Sequence, residues 1–155
     1  MSLPDKIIVE ITEMPKLKNP TLICGLPGSG YVGKLAVDHL IEDLQGVPFA
    51  NIYSSSFPPQ VLIQPDGTVD LMKITLYCCK SSDLVLLSGD AQPVNPESEY
   101  AMADEITKIC EKLGIKTIYT LAAYIAGAIS KTRRVYGTNT SSQIVKDLSS
   151  TECIQ

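Results

Sequence analysis

The stretch Thr21-Leu-Ile-Cys-Gly25-Leu-Pro-Gly28-Ser-Gly30-Tyr-Val-Gly33-Lys-Leu-Ala-Val-Asp-His-Leu-Ile41 decides the fold class. Its first five residues are apolar or β-branched, the make-up of a buried strand. Gly25, Gly28, Gly30 and Gly33 then punctuate the chain. From Tyr31 to about Gln45 the pattern turns helical: Val32, Leu35, Ala36, Leu40, Ile41 and Leu44 recur at spacings of three and four. Lys34, Asp38 and Glu42 line another face at i, i+4. Gly46 and Pro48 supply the stop. A strand, a glycine loop and an amphipathic helix in that order form the opening unit of an α/β fold.

Working outward, residues 6–11 read as a strand and residues 15–20 as a turn-rich link. Residues 49–53 form another strand, broken by Phe57-Pro-Pro-Gln60. Residues 61–74 read as a hairpin around Pro65-Asp-Gly67, where glycine can take positive φ. The strand signal continues to Cys79, and residues 83–88 are a continuous apolar run, hence a central strand. The loop Gly89-Asp-Ala-Gln-Pro93 is too polar and turn-prone for core. Asn95-Pro-Glu97 opens a second helix with a cap, an N1 proline and acids at the positive dipole end. Met102, Ile106, Ile109, Cys110 and Leu113 form its apolar stripe, and Gly114 ends it. A strand at 116–121, a small-residue stretch at 122–127 and a short helix at 140–148 complete the chain. The expected fold is three-layer α/β: a mostly parallel sheet, helices on both faces, and an antiparallel hairpin. Sites in such sheets lie beyond the carboxyl ends of the strands. Residues 25–33, 89–93 and 122–134 hold that position.

The 155 residues match the usual size of one domain. Lys plus Arg number 13 against 17 Asp plus Glu, a net charge of −4, which argues against nucleic acid as the partner. No apolar run is long enough for a membrane span, and the N-terminus lacks a signal-peptide layout, so a cytoplasmic location is expected. Five cysteines and one histidine, with no Cys-x-x-Cys pair, give a metal site almost no ligands. The cysteines read as reduced, mostly buried thiols, with Cys78 and Cys79 on opposite faces of one strand.

Gly28-Ser-Gly30-Tyr-Val-Gly33 fits the dinucleotide pattern G-x-G-x-x-G after a strand and before a helix. The ribose-binding acid about 20 residues later is missing, since position 53 is Tyr. The same loop nearly spells a P-loop through Lys34, but Leu35 stands where Mg²⁺ binding wants Ser or Thr. Two readings stand. Bare amides at a helix N-terminus can hold a phosphate or nucleotide. Alternatively the glycines serve a tight turn, close helix–sheet packing, or contact with a protein. Asp90 follows an apolar strand as a Walker B acid would, or bonds its own turn backbone. His39 lacks a paired acid in sequence reach. No nucleophile elbow and no Cys with an evident His partner is present, so the inventory is thin for an enzyme and no catalytic residue or cofactor is assigned. The hairpin and the sheet edges invite pairing between copies.

Taken together, residues 25–41, Phe57-Pro-Pro-Gln60, Ser88-Gly-Asp-Ala-Gln-Pro93, residues 121–127 and Val135-Tyr-Gly137 closely resemble the proteasome assembly chaperone family, second-subunit type, archaeal branch. The resemblance implies a nucleoside-phosphorylase-like fold without an established catalytic site. It implies self-association and proteasome α-subunits as partners. The anion- or partner-binding loop would comprise Gly25, Pro27, Gly28, Ser29, Gly30, Tyr31, Gly33 and Lys34. Further partner-facing positions would be Pro58, Pro59, Gln60, Asp90, Gln92, Pro93, Tyr124, Gly127 and Arg133. Related chains continue further, so residues 1–155 are expected to form the N-terminal portion of a longer α/β domain. Docking chaperones of this kind often end in hydrophobic-Tyr-x, whereas this sequence closes on Cys153-Ile-Gln155.

Overall fold

The computed structural model describes residues 6–125, 127 and 135–149. Their backbone divides into two compact units, Met1–Ala123 and Tyr124–Gln155. The first unit contains strands β1 (Ile7–Ile11), β2 (Thr21–Gly25), β3 (Val47–Ser54), β4 (Val61–Ile63), β5 (Val69–Leu71), β6 (Ile74–Cys79), β7 (Leu84–Gly89) and β8 (Thr117–Thr120). Its helices are α1 (Val32–Asp43) and α2 (Pro96–Leu113). The second unit carries α3 (Ser142–Ser149) and a stacked pair, Tyr124 and Tyr136, with ring centroids 4.3 Å apart.

Six strands form one sheet in the order β1-β3-β6-β7-β2-β8, and β4 pairs with β5 in a separate two-stranded sheet. The α/β class and the added antiparallel hairpin agree with the sequence. The mostly parallel sheet does not: only β7–β2 and β2–β8 run parallel, while β1–β3, β3–β6 and β6–β7 are antiparallel. For β6 and β7 the cause is their connection. Residues 80–83 form one tight 3₁₀ turn closed by Asp83 at φ 56°, and so short a link can only join antiparallel neighbours.

Strand alternation sorts the core onto two faces. Leu22, Leu76, Cys78, Val85 and Leu87 pack in one cluster with Met102, Ile109 and Cys110 of α2. Leu86, Cys79 and the partly buried Ile23 and Tyr77 pack with Val37 of α1 on the other. The two helices therefore cover opposite faces, and adjacent Cys78 and Cys79 point into different layers. Phe49 and Ala50 both enter the first cluster because the β3–β6 register shifts between Pro48 and Ala50.

Helix α2 follows its sequence cues: Asn95 Oδ1 accepts from Ser98 N at 2.9 Å, and Gly114 takes φ 72° at the other end. Helix α1 keeps the expected stripe at Leu40, Ile41 and Leu44, which pack on the sheet, but departs from it in its first turns. Gly33 and Val37 face the sheet, whereas Val32 and Leu35 are exposed. The reason is contact distance. A Cβ on Gly33 would strike the Leu121 carbonyl, 2.7 Å from its carbon, and one on Gly25 would lie 2.6 Å from the Gly33 carbonyl carbon. The helix approaches β2 and the end of β8 on its glycine side, which turns Val32 and Leu35 outward. Gln45, not Gly46, takes the left-handed φ of 51° after α1. Gly46 instead packs closely on Tyr77 and Cys79.

Candidate functional site: a loop cluster at one sheet edge

The strand directions bring one set of loops together. β7, β2 and β8 are parallel, and β3 runs the same way through two antiparallel steps. Residues 26–31, 55–60, 90–95 and 121–123 therefore leave the sheet at the same edge. Hydrogen bonds tie them. Gln92 Nε2 donates to the Pro27 carbonyl. Val94 N donates to the Ser56 carbonyl at 3.0 Å, and Ser98 Oγ donates to Ser56 Oγ at 2.8 Å. These contacts span 38 to 65 positions in sequence and no local pattern announces them.

Within the glycine loop, Gly28, Ser29, Gly30 and Tyr31 are exposed and Pro27 is half-buried. Gly30 and Tyr31 take positive φ, 63° and 56°, and Tyr31 N donates to the Gly28 carbonyl at 3.0 Å. Gly25 and Gly33 are buried at the crossing of α1 with the sheet. Lys34 turns away from the loop. Its Nζ lies 3.0 Å from Asp38 Oδ2 and 3.2 Å from Ser88 Oγ, and Ser88 Oγ donates to Asp38 Oδ1. This tie, absent from the sequence reading beyond the i, i+4 pair, pins α1 to β7. Ser88 also stands in a polar row across the strands, opposite Thr75, which is opposite Asn51. Thr75 Oγ1 donates to Asn51 Oδ1 at 3.0 Å.

Among the other predicted positions, Pro59, Gln60 and Gln92 are exposed, and Pro58 and Asp90 are half-buried. Asp90 Oδ2 accepts from Lys73 N at 3.1 Å and Asp90 N donates to the Lys73 carbonyl at 2.9 Å. Its carboxylate is thus a backbone clamp joining β7 to the start of β6. Pro93 and Ala91 are buried, so this loop does contribute to core and Pro93 offers no surface. The Gln92 side-chain amide and Val94 N beside them donate to the carbonyls of Pro27 and Ser56 in neighbouring loops, which is what lets a turn-rich segment sink inward. Tyr124 and Gly127 are exposed in the second unit, and Arg133 lies outside the described residues.

Two clefts of about 280 Å³ each open at this edge. One lies between the glycine loop and residues 120–123, lined by Pro27, Gly28, Val32 and Leu121. The other, more apolar, is lined by Leu22, Met102, Ile106 and Ile118 between β8 and α2. Cys24 borders both, and burial, helped by neighbouring Cys110, pushes its thiol up to about 11. Burial likewise raises Cys78, Cys79 and Cys110. At neutral pH these groups are protonated and weak as nucleophiles. Among the described residues no three His, Cys, Asp or Glu side chains converge as metal ligands, and no helix is long and apolar enough to cross a membrane.

Fold and edge together define a three-layer α/β protein whose connected loops are fixed by bonds to one another's backbone. The chain belongs to the PAC2 family, whose model matches residues 22–154. It is 36% identical over 145 residues to the uncharacterized protein MJ1210 of Methanocaldococcus jannaschii, covering 92% of this chain and 56% of that protein. It is similar in structure to Pyrococcus furiosus PbaB, an archaeal proteasome activator, with 34% identity and a TM-score of 0.83 over 93% of this chain and 62% of PbaB. Pyrococcus furiosus PbaA, an archaeal homolog of proteasome-assembly chaperone, shares the fold at 24% identity and a TM-score of 0.73, over 95% of this chain and 61% of PbaA. The family resemblance drawn from residues 25–41 and the later motifs therefore holds. The chain spans about three-fifths of the length of these relatives.

Proposed function

We propose that this chain is a non-enzymatic protein-binding factor acting with the proteasome in the cytoplasm. It contacts proteasome α-subunits through the loops gathered at the carboxyl ends of β2, β7 and β8. The observation that carries this reading is the likeness to PbaB, a proteasome activator, over 93% of the chain. The character of the edge supports it. Tyr31, Pro59, Gln60 and Gln92 are exposed contact groups, while Asp90 and Lys34 spend their charges on the fold. Loops already fixed by Gln92–Pro27 and Ser56–Val94 bonds lose little freedom on meeting a partner. The phosphate reading draws less support, because Lys34 is held by Asp38 and Ser88 and the Gly25 and Gly33 positions are filled by packing.

Affinity capture with purified proteasome α-subunits from the source organism tests the proposal. The immobilised chain is expected to retain them, and a Tyr31→Ala, Gln60→Ala double variant to retain less. Failure of the unaltered chain, on a column where PbaB retains its own proteasome, would overturn the reading.

A further inference from the structure

The β4–β5 hairpin has a face that no other described part of the chain covers. Val61 pairs with Leu71 and Ile63 with Val69, so these four aliphatic side chains share one side of the two-stranded sheet. Their exposures are 51% for Val61, 77% for Ile63, 62% for Val69 and 65% for Leu71. The opposite side carries Leu62 and Asp70, both half-buried, with Asp70 Oδ2 accepting from Gln64 Nε2 at 3.1 Å and from Lys73 Nζ at 3.4 Å. The hairpin thus turns four aliphatics outward, while its one strand acid shares the inner side with Leu62. A two-stranded sheet alone is marginal, and an exposed apolar patch marks a contact surface.

We propose that this face is where two copies of the chain meet, hairpin against hairpin, around a two-fold axis. The pattern of the patch argues for a second copy. Its four corners alternate in size, with valines on one diagonal (Val61, Val69) and longer side chains on the other (Ile63, Leu71). A two-fold axis in the plane of the patch, along or across the strands, sets each valine over Ile63 or Leu71 of the other copy. Short side chains meet long ones, as close packing requires, and the contact is isologous. Charge agrees. Each copy carries −4, but the hairpin's one charged strand residue, Asp70, lies on the far side and is paired, so like charges are not brought together. Area sets the strength. Four aliphatic side chains supply roughly half of the ~800 Å² per partner of a stable interface, so the dimer forms and dissociates with concentration. This proposal is independent of the proteasome reading.

The test is sedimentation velocity on the unaltered chain from about 1 to about 200 µM, beside Ile63→Glu and Leu71→Glu. The unaltered chain is expected to shift from monomer to dimer across this range. Either glutamate, set over a valine of the other copy, should weaken association by more than about a hundredfold. A third variant, Ile63→Thr, keeps β propensity and should weaken it by less. Matching far-UV spectra and melting curves establish that the variants fold. A chain that stays monomeric at the top concentration overturns the proposal and leaves the face to a different protein. So does a dimer that survives both glutamates, which would place self-association elsewhere.

Discussion

Replacing Gly33 by alanine separates the two roles a glycine loop can have. Gly33 is the second residue of α1, where alanine ordinarily gains up to ~1 kcal/mol over glycine. Here its Cβ would fall on the Leu121 carbonyl, 2.7 Å from the carbon, whereas ordinary contact begins at 3.4 Å. Helix and strand must part by more than about 0.7 Å, because the carbonyl oxygen lies closer still than its carbon, and the obstacle is backbone rather than a side chain that can rotate away. The same movement disturbs Gly25, stacked under the Gly33 carbonyl, and the Lys34–Asp38–Ser88 tie one residue on. Overpacking typically costs ~1–3 kcal/mol, and a rigid obstacle belongs at the upper end. After the propensity gain, Gly33→Ala should destabilise by about 2 kcal/mol, a fall in Tm of roughly 4–8 °C for a chain of this size. Gly28→Ala is the control. Nothing lies within 4 Å of its Cβ and its φ is −161°, so its Tm should stay within about 1 °C of the parent. Differential scanning calorimetry reads both. A Gly33→Ala protein that melts with the parent would refute the packing account. A Gly28→Ala protein that keeps its Tm but abolishes heat on titration with ATP or phosphate would establish the anion cradle instead.

Two further outcomes follow from titrating groups. Backbone N–H groups of Asn19 and Lys18 hold the Asp83 carboxyl below its ordinary 3.8. A group lowered in the folded state stabilises above its unfolded pKa and loses that contribution as pH falls through the folded value, so Asp83→Asn should lower the urea midpoint at pH 7 and flatten its decline below about pH 4. Parallel midpoint-against-pH curves for parent and variant would remove Asp83 from the acid response. With Cys24 raised to about 11, Cys24 of a Cys153→Ser protein, followed by peptide mass spectrometry, should take up a thiol reagent at pH 8 about a hundredfold more slowly in native buffer than in urea. A stoichiometric burst from the native protein would show a thiol that is neither buried nor protonated.

Much of the fold was legible because its signals are local. Asn95, Pro96 and Gly114 bracket α2 where the capping rules put them, and the Cys78/Cys79 split follows from strand alternation alone. Pro65-Asp-Gly67 marks its turn, with Gly67 at φ 85° and Asp66 Oδ1 accepting from Thr68 N at 3.0 Å. Strand direction was less legible, and for β6 and β7 it hangs on the length of one link. The sequence ends one strand at Cys79 and starts the next at residue 83, but the alternation of strands with long helices elsewhere points to parallel pairing and outweighs that short link. The facing of the start of α1 was misread because Gly33 has no side chain to count as apolar, although it is the most intimate contact of the helix, whereas Leu40, Ile41 and Leu44 face the sheet as read. The site was legible as a set of loops and not as a geometry. Gln92–Pro27 and Ser56–Val94 join segments far apart in sequence, and Pro93 reads as a turn residue until its burial is seen.

The hairpin and the loop edge are mechanically one feature. Lys73, which follows β5, exchanges two bonds with Asp90, which follows β7, so the hairpin's base is fastened to the loops proposed to meet a partner. A dimer formed through Val61, Ile63, Val69 and Leu71 would then carry two loop edges in a single particle. Two weak contacts joined this way bind a target of repeated subunits far more tightly than either alone, without any new contact. That arithmetic removes a difficulty of the binding reading. The exposed loop residues of one chain are few and mostly uncharged, too little for a tight single-site complex, but pairing lets a small edge suffice. It also explains why the aliphatics of β4 and β5 face outward while Asp70 and Gln64 satisfy each other behind them.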